Sequence, residues 1–346
     1  MKAVHNFILV FLDNEDEEKQ NLDDFYELLN FQQNQLDIQE LKSILYLISK
    51  INKNHNRKPF FFDKIKKLIL ILKNEIKQSL SNNEIYTIFK KNKLILLYLI
   101  DEGILVFDSN ISNKISRYKD YFIPEINKFN SSDTPVNIPE FYDEKRRKGE
   151  NDNYVCELIR NDNIEEFVIY CAKNSNPFYM TIKPSIYETN SFLEDKEPKL
   201  IEYSAFYGSI QILRFLFQNQ VELTQSLWIY AIHGRNPEII HFLEENKILP
   251  FDQTYQECLR ESIKCHHNDF ALYFKNNFID TFDDHPDYIQ NELCYGFHYY
   301  NFEFIPIDHN NFKFFFFYSI EYNCFNNLVD YYYKNIKGLD INELII

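Results

Sequence analysis

Apolar side chains recur at helical spacing along most of the chain, and one pattern is written twice between residues 200 and 249. The first copy, YSAFYGSIQILRFLFQNQVEL, occupies 203–223, and the second, YAIHGRNPEIIHFLEENKIL, occupies 230–249. Equivalent apolar positions in the two copies are 27 residues apart. A fixed period of about 20–50 residues is typical of solenoids, whose units bury their apolar faces against their neighbours. The sequence therefore predicts an all-α protein built from stacked helix–turn–helix units.

Turn residues separate two helices inside each copy. In the first copy Gly208 offers a permissive backbone, and Ser209 is suited to cap the next helix. In the second copy Asn236 is a good N-cap, and Pro237 suits the first helical position. The pattern predicts a helix over Leu200–Tyr207, followed in each copy by a second helix with its apolar residues on one face.

Weaker copies of the same unit occur elsewhere in the chain. Residues 81–105 match the second copy at a shift of 144, and residues 261–277 match it at a shift of 31. Residues 155–170 resume a degenerate helix pair, and residues 318–335 are a further match. The segment 279–317 is either a decayed repeat or an insertion.

The domain boundary is predicted from proline and charge. Residues 124–150 contain three prolines, a Ser-Ser-Asp sequence and the basic run Lys145–Lys148, which is a weak nuclear localisation signal. We therefore predict an N-terminal helical domain over 1–123, built independently or from degenerate repeats, then a connector over 124–150. The divergent repeats follow over 151–346.

The central motif resembles the ankyrin repeat. SAFYGSIQILRFL at 204–216 is similar to the ankyrin core AAxxGHxxVVxxLL. The Thr-Pro-Leu-His that opens an ankyrin unit is replaced by KLIE at 199–202 and by SLWI at 226–229. The period is 27 residues rather than about 33. The resemblance implies a divergent ankyrin-like stack in which the β-turn fingers are short or missing.

Nearly the whole chain resembles one particular group of proteins. Besides the central pair, the segments that carry the likeness are INKNHNRKPFFFDKI at 51–65, FKKNKLILLYLI at 89–100, IRNDNIEEF at 159–167 and SIYETNSFL at 185–193. They are similar to the expanded ankyrin-like family of trichomonad parasites, which carries an N-terminal domain of unknown function. The resemblance implies a fold and a lineage, but no chemistry.

The sequence offers no pattern typical of an enzyme or a cofactor site. The six glycines are scattered, so neither GxGxxG nor GxxxxGK occurs, and HExxH, CxxC and GxSxG are also absent. Cys258 and Cys265, beside His266 and His267, lack the usual spacing of zinc ligands, which favours buried structural cysteines. We expect a non-enzymatic protein without a cofactor or a metal.

Cysteine usage and hydropathy bear on location. The six cysteines have no tight spacing, which favours reduced thiols in the cytoplasm, and Lys145–Lys148 makes the nucleus the alternative. The apolar runs at 68–72 and 94–100 are too short to span a bilayer, so we expect no membrane partner.

A protein partner is the leading expectation, and three residues are its candidate contacts. His233 falls in the first helix of its unit at a position that varies among ankyrins, and Phe206 and Tyr207 are its equivalents one unit earlier. Together they would form an aromatic patch on the concave face, of the kind that anchors partners. The alternative is that the short period buries them between repeats.

A basic and aromatic segment over 51–93 supports a second hypothesis, a nucleic-acid-binding protein. Residues 51–100 carry 11 Lys and Arg against 3 Asp and Glu, a net charge of +8. The candidate contacts are Lys53, Arg57, Lys58, Lys64 and Lys67. A solvated helix face beside buried Phe is the simpler explanation, and residues 151–346, with a net charge of −15, disfavour nucleic acid.

Overall fold

The computed structural model of the chain describes residues 1–14, 22–30, 36–58, 60–130, 138–174, 177–279 and 286–305. Every regular element within these ranges is a helix, and one isolated β-bridge joins Thr181 to Lys199. The predicted all-α class is confirmed. The sequence match at 318–335 lies outside the described residues.

The helices follow one another with short connections. Those of the N-terminal part are α1 (Lys2–Asp13), α2 (Leu22–Asn30), α3 (Ile38–Asn54), α4 (Phe61–Ile71) and α5 (Lys73–Ser79). Those of the middle part are α6 (Asn82–Phe89), α7 (Lys93–Asp101), α8 (Ser109–Lys114), α9 (Ile123–Asn130) and α10 (Tyr142–Lys148), with a 3₁₀ helix at Ser116–Tyr121. Those of the remaining part are α11 (Tyr154–Arg160), α12 (Ile164–Lys173), α13 (Leu200–Tyr207), α14 (Ile210–Gln218), α15 (Leu227–Gly234), α16 (Pro237–Glu245), α17 (Gln256–Lys264), α18 (Asn268–Asn277) and α19 (Pro286–Tyr299).

The described chain divides into two compact units. The first contains the described residues of 1–51, 57–80 and 286–305, and the second contains residues 52–56 and 81–279. In the first unit α1 packs against α2, α4 and a 3₁₀ helix at Phe302–Phe304. The segment predicted as a connector, 124–150, belongs to the second unit by this division.

Four helix pairs stack side by side within the second unit. They are α11–α12, α13–α14, α15–α16 and α17–α18. The first helices contact one another in chain order, α11 to α13, α13 to α15 and α15 to α17. The helices α6 and α7, at the N-terminal sequence match, also pair. The helix–turn–helix units predicted between 81 and 277 are therefore present as helix pairs.

Turn geometry in the central pairs is close to the prediction. The helix predicted over Leu200–Tyr207 is α13, and Gly208 follows it in the left-handed region at φ 72°. Asn236 caps α16 by accepting a hydrogen bond from the Glu238 amide at 3.0 Å, and Pro237 is the first helical residue. In this second copy Arg235, rather than a glycine, takes the left-handed position, at φ 49°.

One cap is made differently from the prediction. Ser209 stands at the N-cap position of α14, but its hydroxyl does not cap the helix and donates instead to the carbonyl of Ile159 in the preceding pair. The carboxylate of Asp162 accepts from the first amides of α14, those of Gln211 at 3.1 Å and Ile212 at 3.0 Å. The cap of this helix therefore comes from the neighbouring pair.

The N-cap residues of successive second helices all bond to the preceding pair. Ser209 donates to the carbonyl of Ile159, and the amide of Asn236 donates to the carbonyl of Gly208 at 2.8 Å. His267, the N-cap residue of α18, is bonded through Nδ1 to the carbonyl of Ile232 at 2.8 Å; because the carbonyl can only accept, Nδ1 carries the proton. We call these three bonds the turn ladder.

The helices α13 and α15 approach unusually closely. A Cβ atom added at Gly234 would lie 2.1 Å from the carbonyl oxygen of Ala205 and 2.9 Å from the amide nitrogen of Gly208. Both obstacles are backbone atoms, so no side-chain rotation can make room. Glycine at 234 therefore permits the spacing between these two pairs.

Gly234→Ala is expected to lower the free energy of unfolding by about 3 kcal/mol or more, because α13 and α15 must separate to admit the methyl group. Urea denaturation followed by the fluorescence of Trp228, the single tryptophan and a fully buried one, measures this. Gly103→Ala is the matched control, since Gly103 has open space around it and only its φ of +62° is unfavourable. The control substitution should lower the free energy of unfolding by about 1 kcal/mol. Equal costs at the two glycines would contradict the close approach.

Asn236→Ala removes one cap and one bond of the turn ladder. The substitution should lower the free energy of unfolding by about 2 kcal/mol, roughly 1 kcal/mol for each interaction. Asn246→Ala is the control, because the Asn246 amide donates only to the carbonyl of Phe242 within the same segment, at 2.8 Å. Its cost should stay below about 1 kcal/mol. A cost for Asn236→Ala no larger than that of the control would show that the ladder does not stabilise the stack.

Candidate functional site

The structure buries most of the aromatic patch predicted to bind a partner. Phe206 and His233 are only 6% and 3% exposed, whereas Tyr207 is half-buried. The ring of Phe192 covers them, with its centroid 5.6 Å from that of Phe206 and 4.2 Å from that of His233. The structure thus brings Phe206 and His233 together, and the chain itself lies over them.

The covering segment is residues 185–196, in the connection between α12 and α13. It is tied down at Thr189, whose amide and hydroxyl both donate to the carbonyl of Gly149. It is also held at Glu194, whose carboxylate lies 2.9 Å from the ammonium of Lys93 in a largely buried ion pair. Lys196 places its ammonium 3.3 Å from the centroid of the Phe192 ring. This face of the first helices is therefore part of the interior.

Residues His55 and Asn56 contact the same face further along the stack. His55 is hydrogen-bonded through Nδ1 to the carbonyl of Cys265 at 2.9 Å, and its ring meets that of His267 edge to face. The side-chain amide of Asn56 donates to the carbonyls of His233 and Gly234 at 3.1 and 2.7 Å. These bonds satisfy carbonyl groups at the end of α15, which the helix itself leaves without partners.

A buried polar cluster lies beneath Phe192. Nε2 of His233 lies 2.8 Å from Oε1 of Glu261, and the ammonium of Lys264 lies 2.6 Å from the same oxygen. The thiol of Cys265 lies 3.5 Å from Nδ1 and 3.8 Å from Nε2 of His233. Imidazole, carboxylate and thiol therefore converge from two neighbouring helix pairs.

Burial sets the charge of most groups in this cluster. It lowers the pKa of His233 and raises the pKa of the Cys265 thiol well above its ordinary value. Burial would also raise the pKa of Glu261, but the hydrogen bonds from His233 and Lys264 outweigh it and leave that pKa lowered. The result is a neutral imidazole and a neutral thiol beside an ionised carboxylate that is paired with Lys264.

Each basic residue of the nucleic-acid hypothesis is at least half-buried. Lys64 is buried, and its ammonium bonds to the carbonyl of Asn14. Arg57 stacks on Phe62 at 4.6 Å from the ring centroid. Lys53, Arg57, Lys58 and Lys67 are all half-buried.

The basic run Lys145–Lys148 is similarly engaged in α10. Arg146 is buried, and its guanidinium donates to both carboxylate oxygens of Glu125 at 2.8 and 2.9 Å. Arg147 lies 2.6 Å from the carboxylate of Asp101. These arginines therefore form ion pairs within the second unit, and the localisation signal stays a prediction.

An apolar edge that the sequence analysis did not single out follows the second helices. We use this name for the apolar residues in the connections that leave the C-terminal ends of α12, α14, α16 and α18. Tyr179, Leu249 and Phe251 are 81%, 48% and 64% exposed in the connections that leave α12 and α16. The half-buried apolar residues of the connections along the same edge are Phe178, Met180, Val221, Leu223, Ile248, Phe278 and Ile279. In the sequence, these residues appear as the short segments FYM, VEL, ILPF and FI, each of which follows the second helix of a pair.

Comparisons with known proteins assign no family to the chain. No family model matches the chain, and no curated protein and no solved structure matches it either. The resemblance to the trichomonad ankyrin-like family therefore stays a prediction. Among the described helices, none has the combination of length and apolar character that crossing a bilayer requires.

Phe192→Ala tests whether residues 185–196 form part of the core. Removing a half-buried ring that covers Phe206 and His233 should lower the free energy of unfolding by about 2 kcal/mol, measured by urea denaturation. Phe251→Ala is the control, because a ring that is 64% exposed should cost less than about 0.5 kcal/mol. Similar small losses for both variants would mean that the face of the first helices is not closed by this segment.

Proposed function

We propose that the chain is a non-enzymatic scaffold that binds another protein along the apolar edge of its helix-pair stack. The observation that carries this proposal is the exposure of Tyr179, Leu249 and Phe251 in the connections that follow the second helices α12 and α16. Clustered exposed apolar side chains are typical of protein–protein contacts, and aromatic residues are frequent anchors there.

The connection that carries two of these residues is well ordered by its own bonds. The indole of Trp228 donates to the carbonyl of Ile248 at 3.0 Å, directly before Leu249. Asp252, directly after Phe251, accepts from the amide of Glu257 at 2.8 Å. A side chain presented by a rigid connection loses little conformational entropy on binding, which favours an anchor role for Phe251.

Charge indicates the chemistry of the partner. Residues 151–346 carry 14 Lys and Arg against 29 Asp and Glu. Glu222 and Glu245 are exposed beside the apolar edge. We therefore propose a partner surface that combines apolar residues with basic ones, since complementary charge speeds encounter and excludes acidic competitors.

The finer fold assignment forms part of the same proposal. We infer that the four helix pairs are divergent ankyrin-like repeats arranged as a solenoid, and that the chain is related to the trichomonad family it resembles. The 27-residue spacing of α13–α14 and α15–α16, the left-handed turns and the turn ladder support this. The buried thiols of Cys156, Cys258 and Cys265 fit a reducing cytoplasm.

The test is an affinity pull-down from native cell lysate, quantified by mass spectrometry. The wild-type chain is compared with a Phe251→Glu, Leu249→Glu double variant, with and without nuclease. The proposal predicts that specific proteins captured by the wild type fall at least about tenfold with the double variant, because a buried anchor contributes about 1.4 kcal/mol or more.

Val106→Glu is the matched control, since Val106 is 62% exposed in the second unit but lies outside the apolar edge. It should retain the captured proteins. If the double variant and the control behave alike, the apolar edge is not the binding surface. If capture depends on nuclease-sensitive material, the nucleic-acid hypothesis replaces the scaffold.

A further inference from the structure

We propose that His233, Glu261 and Cys265 form a zinc site that joins α15 to the α17 segment. This inference rests on the cluster itself and is independent of the proposed partner surface. One ligand atom from each residue lies within 4.8 Å of the others, and all three residues are buried. By sequence spacing Cys265 groups with Cys258 and with its neighbouring histidines, and not with His233 and Glu261.

The spacing follows from the fold. Glu261 and Cys265 are four residues apart, so they share one face of α17 and of the turn that ends it. His233 comes from the end of α15, which packs directly against α17. The packing of α15 against α17 thus places the His233 imidazole next to the carboxylate of Glu261 and the thiol of Cys265.

The distances from Nε2 of His233 to the other two donor atoms can be compared with those of a zinc tetrahedron. Zinc–nitrogen, zinc–oxygen and zinc–sulfur bonds of ordinary length imply about 3.6 Å between nitrogen and sulfur and about 3.4 Å between nitrogen and oxygen. The Cys265 sulfur lies 3.8 Å from Nε2 of His233, and the Glu261 oxygen lies 2.8 Å from it. For zinc to bind at Nε2, the carboxylate oxygen retreats from Nε2 by about 0.6 Å and the imidazole proton moves to Nδ1.

The donor set suits zinc chemically. Imidazole, carboxylate and thiolate are all common zinc ligands, and a second oxygen of Glu261 can complete four donors. Binding releases the thiol proton, so the two ligand charges neutralise the ion and Lys264 remains as a single cation. The Lys264 side chain is 23% exposed and bonds to Glu261, so the cluster lies one side chain below the surface, which gives the ion a route inward.

Cobalt(II) is the probe, because it replaces zinc and reports a thiolate ligand by an intense charge-transfer absorption. The full chain is stripped with a chelator, reduced and titrated with cobalt chloride. The proposal predicts one cobalt per chain with thiolate charge-transfer and tetrahedral visible bands, which disappear on addition of zinc. Absence of these bands in the wild-type protein would overturn the site.

Cys265→Ser should lose the charge-transfer band and bind cobalt roughly 100-fold or more weakly. Cys258→Ser is the matched control, because Cys258 is buried on the same helix but lies outside the ligand set, and it should keep the band. A band that persists in folded Cys265→Ser contradicts the assignment.

If the Cys265→Ser variant loses its helical circular dichroism and so does not fold, cysteine alkylation of the wild-type protein tests whether zinc binds at Cys265. Peptide mapping of reduced protein in mild urea, with and without zinc, measures the rate at each cysteine. Zinc bound by this cluster should slow the alkylation of Cys265 at least about tenfold beyond any slowing at Cys258. Equal slowing at both cysteines, or none, would mean that the cluster is only an internal hydrogen-bond network.

Discussion

The stack of helix pairs depends on what happens where one pair meets the next. The second helices α14, α16 and α18 each begin with a residue whose side chain bonds to a carbonyl of the preceding pair, as Asn236 does to Gly208. The carbonyls of Ile159 and Ile232 also accept hydrogen bonds from the backbone amides of Asp162 and Arg235, so the ladder bonds are second bonds to these oxygens that tie one pair to the next. They also fix the register of the stack, because a shift along the helices would break every one of them together. Glycine at 234 then allows the backbones of α13 and α15 to come within contact of each other.

Close stacking explains why the first helices present no open surface. Nearly every residue of α15 is buried, so the helix must be covered on all sides. The segment 185–196 covers part of it with Phe192, and residues 52–56 cover another part. The same packing brings His233 against Glu261 and Cys265, which creates a polar cluster in a place where unpaired charge would be costly. The connections that follow α12 and α16, by contrast, expose Tyr179 and Phe251, and they belong to the surface that we propose for a partner.

Much of the local structure could be predicted because it is encoded locally. The helix over Leu200–Tyr207, the left-handed Gly208 and the cap at Asn236 all follow from propensity and turn chemistry within a few residues. The role of Ser209 could not be predicted in the same way, since its partner Ile159 is distant in sequence and Asp162 replaces it as a cap. The burial of Phe206 and His233 was one of two alternatives at the sequence level, and periodicity could not decide between them because the burial depends on where the connection 185–196 folds back. The metal-type cluster escaped a search by spacing, since its three members come from two helix pairs rather than from one motif.

Native-state hydrogen exchange measures whether contacts between the pairs hold them together as one cooperative structure. The amides of α13, α15 and α17 are the ones to compare, against the global unfolding reported by Trp228. If the turn ladder and the close approach at Gly234 stabilise the pairs jointly, the slowest amides of all three helices should exchange with one common free energy, equal to that of global unfolding. A distinctly lower free energy for α17 or α13, with α15 left at the global value, would show that each pair opens by itself and would contradict the account.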